Sequence, residues 1–560
     1  MKADLKTRHG GRILADALVG HGARLAFGVP GESFLPVLDG LHDLKDQLRF
    51  VVCRQEGGAA YMAEASAKLS GQPGLLFVTR GPGATNGSVG VHTAFQDSTP
   101  MIVFVGQVGN DFVEREAFQE VDYRRMYGPL TKWVAQIDRA ERIPEYVSHA
   151  FQVATSGRPG PVLLALPEDM LFSEAAVADA PHFRTPRAAP SPADMKELER
   201  LLAGAKRPFL LLGGGGWTRQ ASDGLRAWAE ATGITAGCGF RCQDYFDNRH
   251  PGYAGDVGIG VNPKLAQRVK DADVLLVVGE RLGEMTTSAY TLVESPVPRQ
   301  KLVHVQSGAE ELGRVYQAAL PINANYEEFA LALSSIKIKN DEWKSQSRSA
   351  HEDYLAWNKP IAMPGALHYG EVISWLSLNL PADAIVTNGA GNFASWLHRH
   401  FQYKGWRTQL APTSGSMGYS VPAAVAAKIT EPGRTVVAVA GDGEFLMNGQ
   451  EFATAVQYGA AIVVLVVNNG MYGTIRMHQE REYPGRVSGT ELANPDFAAY
   501  ARAFGGHGET VARTADFAPA FQRALASGKP AIVELKIDPE AITPSATLSG
   551  LRAAALAGRK

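Results

Sequence analysis

Asp442 and Asn469 are the residues of this chain best suited to hold a cation together. Asp442 sits in Gly441-Asp442-Gly443 after the apolar run Thr435–Ala440, and Asn469 ends Asn468-Asn469 after Ala461–Val467. Both runs read as buried strands. The carboxyl ends of parallel strands share one edge of a sheet, where open α/β folds bind ligands. The segment Asn448–Tyr458, read as a helix, returns the chain to that sheet, so a separation of 27 residues does not keep the two apart. One carboxylate and one amide oxygen suit a hard divalent cation, Mg2+ or Ca2+, that also binds phosphate oxygens. The glycines allow close backbone approach, and a following helix start offers N–H groups to an anion. Taken singly, Gly-Asp-Gly is an ordinary turn and Asn-Asn an ordinary strand terminator. On consecutive strand ends they read as one site.

A third acid, Glu56, stands in Arg54-Gln55-Glu56-Gly57-Gly58 after the strand Phe50–Cys53 and at a helix start. The helix macrodipole alone would account for it. The same grammar of strand, glycine turn and helix recurs where Leu75–Thr79 enters Gly81–Asn86, and where Pro208–Leu212 enters Gly213–Gly216. Continuous Val/Ile/Leu strands alternating with Ala-rich helices predict parallel sheets in α/β layers. Ala178–Asp194, interrupted by prolines, and the charged Ser334–Pro364 read as linkers. Three doubly wound parallel-sheet α/β domains are therefore expected near residues 1–180, 190–335 and 360–540, with a tail over 541–560. No short-period repeat is visible, which excludes solenoids and propellers.

The bulk composition fits this division. A chain of 560 residues is too long for one core, and 45% apolar with 20% charged residues is that of a globular protein. A formal charge of −2 gives no electrostatic reason for a nucleic-acid or anionic-membrane partner. The longest apolar run, Ala460–Val467, is far short of a bilayer span, and Met1–Gly10 lacks an apolar signal segment. Cys53, Cys238 and Cys242 form no redox or zinc spacing. A cytoplasmic location is expected, with no nucleic acid and no membrane.

Gly441-Asp442-Gly443, 24 further residues and then Asn468-Asn469 resemble the thiamine-diphosphate motif of the pyruvate-decarboxylase and acetohydroxyacid-synthase superfamily. The likeness extends over nearly the whole chain. It implies a pyrimidine-binding, a central and a diphosphate-binding domain, with thiamine diphosphate and Mg2+ as cofactors. The metal would be held by Asp442, Asn469 and the backbone carbonyl of Met471. Glu56 matches the family's catalytic glutamate, whose hydrogen bond to the aminopyrimidine ring stabilises the imino tautomer that deprotonates the thiazolium C2. Phe27–Glu32 resembles the first active-site loop, with Pro30 at the cofactor. Gly81–Asn86 is nearly a synthase loop verbatim, and brings Thr79, Pro82 and Asn86 to the same site. Phe118-Gln119-Glu120 is similar to a segment that reaches the substrate, which gives Gln119 a catalytic role. Gly415-Ser416-Met417-Gly418 resembles the loop whose apolar residue, here Met417, forces the cofactor into a V shape. The likeness adds Gly389, Gly415, Gly441, Gly443, Glu444, Tyr472 and Gly473 to the cofactor-binding set. In the family Glu56 and Asp442 come from different subunits, so a homodimer is the minimum unit and a homotetramer the expected assembly.

Other segments depart from the synthase pattern. Asn388–Trp396 stands where synthases carry a Gly-Gln-His-Gln-Met-Trp-like segment, and Asn468–Arg476 reads more like benzoylformate-decarboxylase relatives; both would shape the substrate pocket. The central domain has Arg281–Thr286 and Val305-Gln306-Ser307 where synthases carry flavin-binding residues, and Gly213–Gly216 completes no dinucleotide fingerprint. FAD is thus left open and NAD is not expected. Arg80 could bind a substrate carboxylate or form a structural salt bridge, and His92 lies near the cofactor segment. His398 and His400 read as strand-like or surface residues. The leading expectation is an acetolactate-synthase-like enzyme, which decarboxylates pyruvate or a similar 2-oxo acid and transfers the resulting enamine to a second carbonyl. The alternatives are a 2-oxo acid decarboxylase or 2-hydroxyketone lyase of the same superfamily, acting on 2-oxo acids or aldehydes, and a non-catalytic cofactor-binding relative.

Overall fold

The structure, a computed structural model, describes residues 5–558. The chain divides after Arg187 into two compact units, the second of which contains two six-stranded sheets. The first unit is built on six strands in the order Arg49–Val52, Leu25–Gly28, Gly74–Val78, Met101–Gln107, Pro161–Pro167, Trp133–Gln136, all paired in parallel. Three of these strands, Gly74–Val78, Met101–Gln107 and Pro161–Pro167, are buried at every position. Their unbroken apolar character reflects a sheet covered by helices on both faces.

In the second unit, one sheet runs Tyr253–Asp256, Thr235–Cys238, Pro208–Leu212, Val274–Val278, Lys301–Gln306, Leu320–Asn323. The other runs Gln409–Leu410, Ile385–Asn388, Val436–Gly441, Val463–Asn468, Ala531–Lys536, His507–Val511. Both are wholly parallel. Counted within each sheet, the first and last sheets of the molecule share the order second, first, third, fourth, sixth, fifth. The central sheet has the order third, second, first, fourth, fifth, sixth, that of a dinucleotide-binding fold.

Local differences from the sequence reading have simple causes. The helix expected over Asn448–Tyr458 is instead Asp442–Asn448, a 3-10 turn Gly449–Glu451 and a short helix Phe452–Gln457. The break falls at Asn448, whose backbone leaves the helical region at φ −141° and whose amide donates to the Gly418 carbonyl at 3.0 Å. His398 and His400 are neither strand nor surface residues. They end the helix Phe393–His400 and are buried, because Phe393, Ala394, Trp396 and Leu397 wrap an apolar surface at helical spacing. The tail forms a small hairpin, Ala541–Thr543 with Ala546–Thr547, and a helix, Leu548–Ala557. Leu548 and Ile542 pack with Met477, and Arg552 donates to Glu480. Among the described residues no helix is long and apolar enough to cross a membrane, and the three cysteines are buried and form no disulfide.

Candidate functional site

The strand Val436–Gly441 pairs with Val463–Asn468 so that Gly441 faces Val467. That register brings Asp442 to the turn after Asn468. Asp442 Oδ2 accepts from the Gly470 N–H at 2.8 Å and from Asn494 Nδ2 at 2.8 Å, while Oδ1 accepts from the Gly443 N–H at 3.0 Å. Asn494 also donates to Asn468 Oδ1 at 3.0 Å. Burial pushes the Asp442 carboxyl above its ordinary value, against these hydrogen bonds, which pull it down. Asn469 Oδ1 accepts from the Met471 N–H at 3.2 Å, and Gly470 adopts a positive φ of 69° to make the turn. Asn494 Oδ1 is buried without a partner.

Among the described residues no group of three or more His, Cys, Asp or Glu is placed to hold a metal. A cation here would rest instead on the Asp442 carboxylate, the Asn469 amide oxygen and the Met471 carbonyl. The orphaned Asn494 oxygen adds to a neighbourhood rich in oxygen, which fits Mg2+ better than a soft metal. Asn494 was not singled out by the sequence. It lies 25 residues past Asn469 in a loop, and only the bond to Asp442 reveals it.

The neighbouring loops are fixed by buried polar contacts. Tyr472 begins the helix Gly473–Glu482 with no side-chain cap, and its ring lies so close to Gly443 that a Cβ there would be 2.6 Å away. Glu444 is buried and accepts from the Ser420 hydroxyl at 2.7 Å and the Ser420 N–H at 3.1 Å. Burial pushes its carboxyl up to about 7. It thereby ties the helix bearing Asp442 to the segment carrying Gly415 and the half-buried Met417. Gly389, at the end of Ile385–Asn388, lies against Glu444, and its carbonyl accepts from Arg241 at 3.1 Å. Asn392 joins the two segments that depart from the synthase pattern, because Thr474 donates to its Oδ1 at 3.0 Å. Its amide donates to the Ile542 carbonyl of the tail at 3.0 Å.

In the first unit, Glu56 is the first residue of the helix Glu56–Ser70, capped by the Gln55 side chain on the Gly58 N–H at 3.0 Å. Asn86 Nδ2 donates to Glu56 Oε2 at 3.0 Å. The two helices meet closely there, and a Cβ on Gly83 would lie 3.3 Å from Glu56 Oε1 and 2.8 Å from Thr79 Cγ2. Thr79 is fixed by a 2.8 Å hydrogen bond between its hydroxyl and that of Ser33. Pro82 begins the helix Pro82–Asp97, and it and Pro30 are exposed. Gln119 has a positive φ of 64° and lies against Gly81, whose Cβ position is 2.9 Å from the Gln119 Cβ. Thus Glu56, Thr79, Asn86 and Gln119 gather around one glycine turn, and Phe118 beside them is 77% exposed.

Arg80 is held by an ion pair with Glu168 and by the Phe118 carbonyl at 3.1 Å, so its guanidinium supports the segment of Gln119. His92 stands ten residues along its helix from Pro82, about 15 Å from that turn. His398 is driven down to about 3 by burial first and then by Arg241, and His400 to about 4 by burial. Both are neutral packing groups near neutral pH.

Three family models match the chain: the N-terminal TPP binding domain of thiamine pyrophosphate enzymes over residues 8–126, the central domain over 195–333, and the C-terminal TPP binding domain over 389–535. The chain is 31% identical to a probable acetolactate synthase large subunit of Methanocaldococcus jannaschii, over 96% of this chain and 93% of that one. It is 30% identical to the acetolactate synthase isozyme 2 large subunit of Escherichia coli, over 95% and 96%. With the acetolactate synthase large subunit of Corynebacterium glutamicum the identity is 32%, over 95% and 87%. With paired strand ends around Asp442, a second glycine turn around Glu56 and likeness along its whole length, the chain belongs to the thiamine-diphosphate-dependent enzymes, in their acetolactate-synthase-like family.

Proposed function

We propose that this enzyme decarboxylates pyruvate or a similar small 2-oxo acid and transfers the remaining acyl unit to a second carbonyl, as an acetolactate synthase does. The observation that supports the reading is the contact of Asp442 with the Gly470 N–H across paired strand ends, which brings Asp442 to the turn that carries Asn469 and Met471. The Asp442 carboxylate, the Asn469 amide oxygen and the Met471 carbonyl would hold Mg2+, which would in turn bind the cofactor's diphosphate. Thiamine diphosphate, when bound, supplies the nucleophilic carbon and electron sink that protein side chains lack.

The chain's own residues position and protonate. Glu56 would exchange a proton with the cofactor's ring nitrogen through Oε1, the oxygen not bonded to Asn86. Thr79, Pro30, Pro82 and Asn86 would line the pyrimidine side. Gly389, Gly415, Met417, Gly441, Gly443, Glu444, Tyr472 and Gly473 would shape the diphosphate and thiazolium side. Gln119, presented at the turn by Arg80, would meet the substrate. The exposed apolar side chains Phe118, Leu446 and Met447 support burial against a second copy, in a homodimer or homotetramer.

Carbon-13 NMR of the purified protein with thiamine diphosphate, Mg2+ and labelled pyruvate tests the reading. Acetolactate is the expected product. Acetaldehyde or acetoin alone would favour the second reading, a decarboxylase or lyase, for which the specific support is the Asn392–Thr474 cluster of departing segments. No CO2 from any of several 2-oxo acids would count against both.

A further inference from the structure

The acetolactate-synthase resemblance brings with it a structural FAD in the central domain, and the residues there do not fit one. In an open sheet with this strand order, a dinucleotide lies across the carboxyl ends at the switch point, here between Pro208–Leu212 and Val274–Val278. Its pyrophosphate needs the room that a glycine turn leaves. We propose that the Glu280 side chain, lodged between the glycine turns at Gly213 and Gly239, closes this crevice, so that the enzyme takes neither FAD nor any other dinucleotide.

A Cβ on Gly213 would lie 2.2 Å from Glu280 Oε2, and one on Gly239 only 1.9 Å from the same atom. The space beside both glycines is therefore already filled by a carboxyl group. The group is anchored within the fold. Its Oε1 accepts from the Leu282 N–H at 3.2 Å, and Thr286 hydrogen-bonds to the carboxyl as well. The Glu280 backbone carbonyl accepts from His304 and Gln306, each at 2.9 Å. Burial raises the carboxyl toward neutrality, but either protonation state occupies the same volume, and the ionised one would also repel a pyrophosphate.

Two further features close the same crevice independently. Trp217 donates to the Gly213 carbonyl at 2.8 Å and Tyr245 to the Gly214 carbonyl at 2.6 Å, so aromatic side chains cover the turn. Trp217 packs against both Tyr245 and Tyr326, with ring centroids 5.2 and 5.0 Å apart. The helix Arg219–Thr232, whose start would face a phosphate, is capped by its own Thr218 hydroxyl on the Ala221 N–H at 3.1 Å.

The test uses the full enzyme loaded with thiamine diphosphate and Mg2+. Acid-released flavin is quantified by absorbance and fluorescence, and the Tm is followed with added FAD and, separately, ADP. Trace flavin and an unmoved Tm are expected. Stoichiometric flavin release, or a Tm that rises with FAD, would overturn the proposal. Glu280→Ala, checked for its fold by circular dichroism, is expected to retain ADP or FAD more tightly than the wild type. Retention no better than the wild type would remove Glu280 as the block, and the wild-type measurement decides the closed crevice whether or not the variant folds.

Discussion

The turn at Gly213 and the turn at Gly441 both follow a buried parallel strand and precede a helix, yet they are surrounded in opposite ways. Around Gly213 the neighbours are an anchored carboxyl group and two aromatic donors, and the following helix carries its own Thr218 cap. Around Gly441 the close neighbour is the ring of Phe393, with that of Tyr472 against Gly443, and the acids Asp442 and Glu444 belong to the turn's own helix. The Asp442 oxygens accept from the N–H groups of Gly443 and Gly470 and from the Asn494 amide. A strand-turn-helix unit thus supplies a crevice, and residues arriving from elsewhere decide whether it stays open. Glu280, from the end of the adjacent strand, shuts one. Asn494, from a distant loop, holds the acid of the other in place.

The comparison breaks most severely at Asp442. Asp442→Ala is expected to weaken retention of thiamine diphosphate with Mg2+ by about 100-fold or more, since losing one partner of a buried ionic contact costs about 3 kcal/mol or more. Isothermal titration measures it, and an unchanged affinity would remove Asp442 from the metal site. Glu56→Gln should slow hydrogen-deuterium exchange at the cofactor's C2 by roughly 100-fold while the cofactor still binds. Equal exchange rates would strip Glu56 of its role. Asn494→Ala should lower Mg2+ affinity by about 10-fold, the size typical of a group that orients a ligand, and a titration of activity against Mg2+ reads this directly.

Glu280 gives an effect read in stability rather than in affinity, with a sign set by pH. Burial pushes its carboxyl up to about 7 from an ordinary 4.5. The folded chain holds that proton more tightly than the unfolded chain, so the contribution to stability is full at acid pH and is lost as pH rises toward 7. Glu280→Gln should therefore be more stable than wild type by on the order of 3 kcal/mol at about pH 8, with no such gain at about pH 4. Thermal unfolding at both values checks this, and an equal Tm difference at the two would show that the carboxyl does not titrate there. Thr218→Ala, which removes the cap, should cost about 1 kcal/mol, measured by urea denaturation.

Much of the fold and part of the site were legible in the order of residues. Buried parallel strands announce themselves as unbroken Val, Ile and Leu, because both faces of such a sheet are covered. Gly441-Asp442-Gly443 and Asn468-Asn469 could be joined because consecutive parallel strands end on the same edge. What failed did so where tertiary packing overrode local pattern. His398 and His400, read as strand-like or surface residues, are buried at the end of a helix, and the helix expected from Asn448 is interrupted at that residue, whose amide bonds to Gly418. Arg80 was ambiguous between a substrate and an ion pair until Glu168, 88 residues away, was placed beside it.

The sequence by itself determined the layered α/β architecture, the paired strand ends at Asp442 and Asn469 and Glu56 at a helix start, since these depend on residue type at fixed local spacing. Only the tertiary structure decided that Asn494 grips Asp442, that Glu444 ties the Met417 loop to the helix that begins at Asp442, and that Glu280 fills the crevice of the central sheet. Each of those contacts joins residues distant in the chain through burial and hydrogen-bond geometry, which no periodicity or motif encodes.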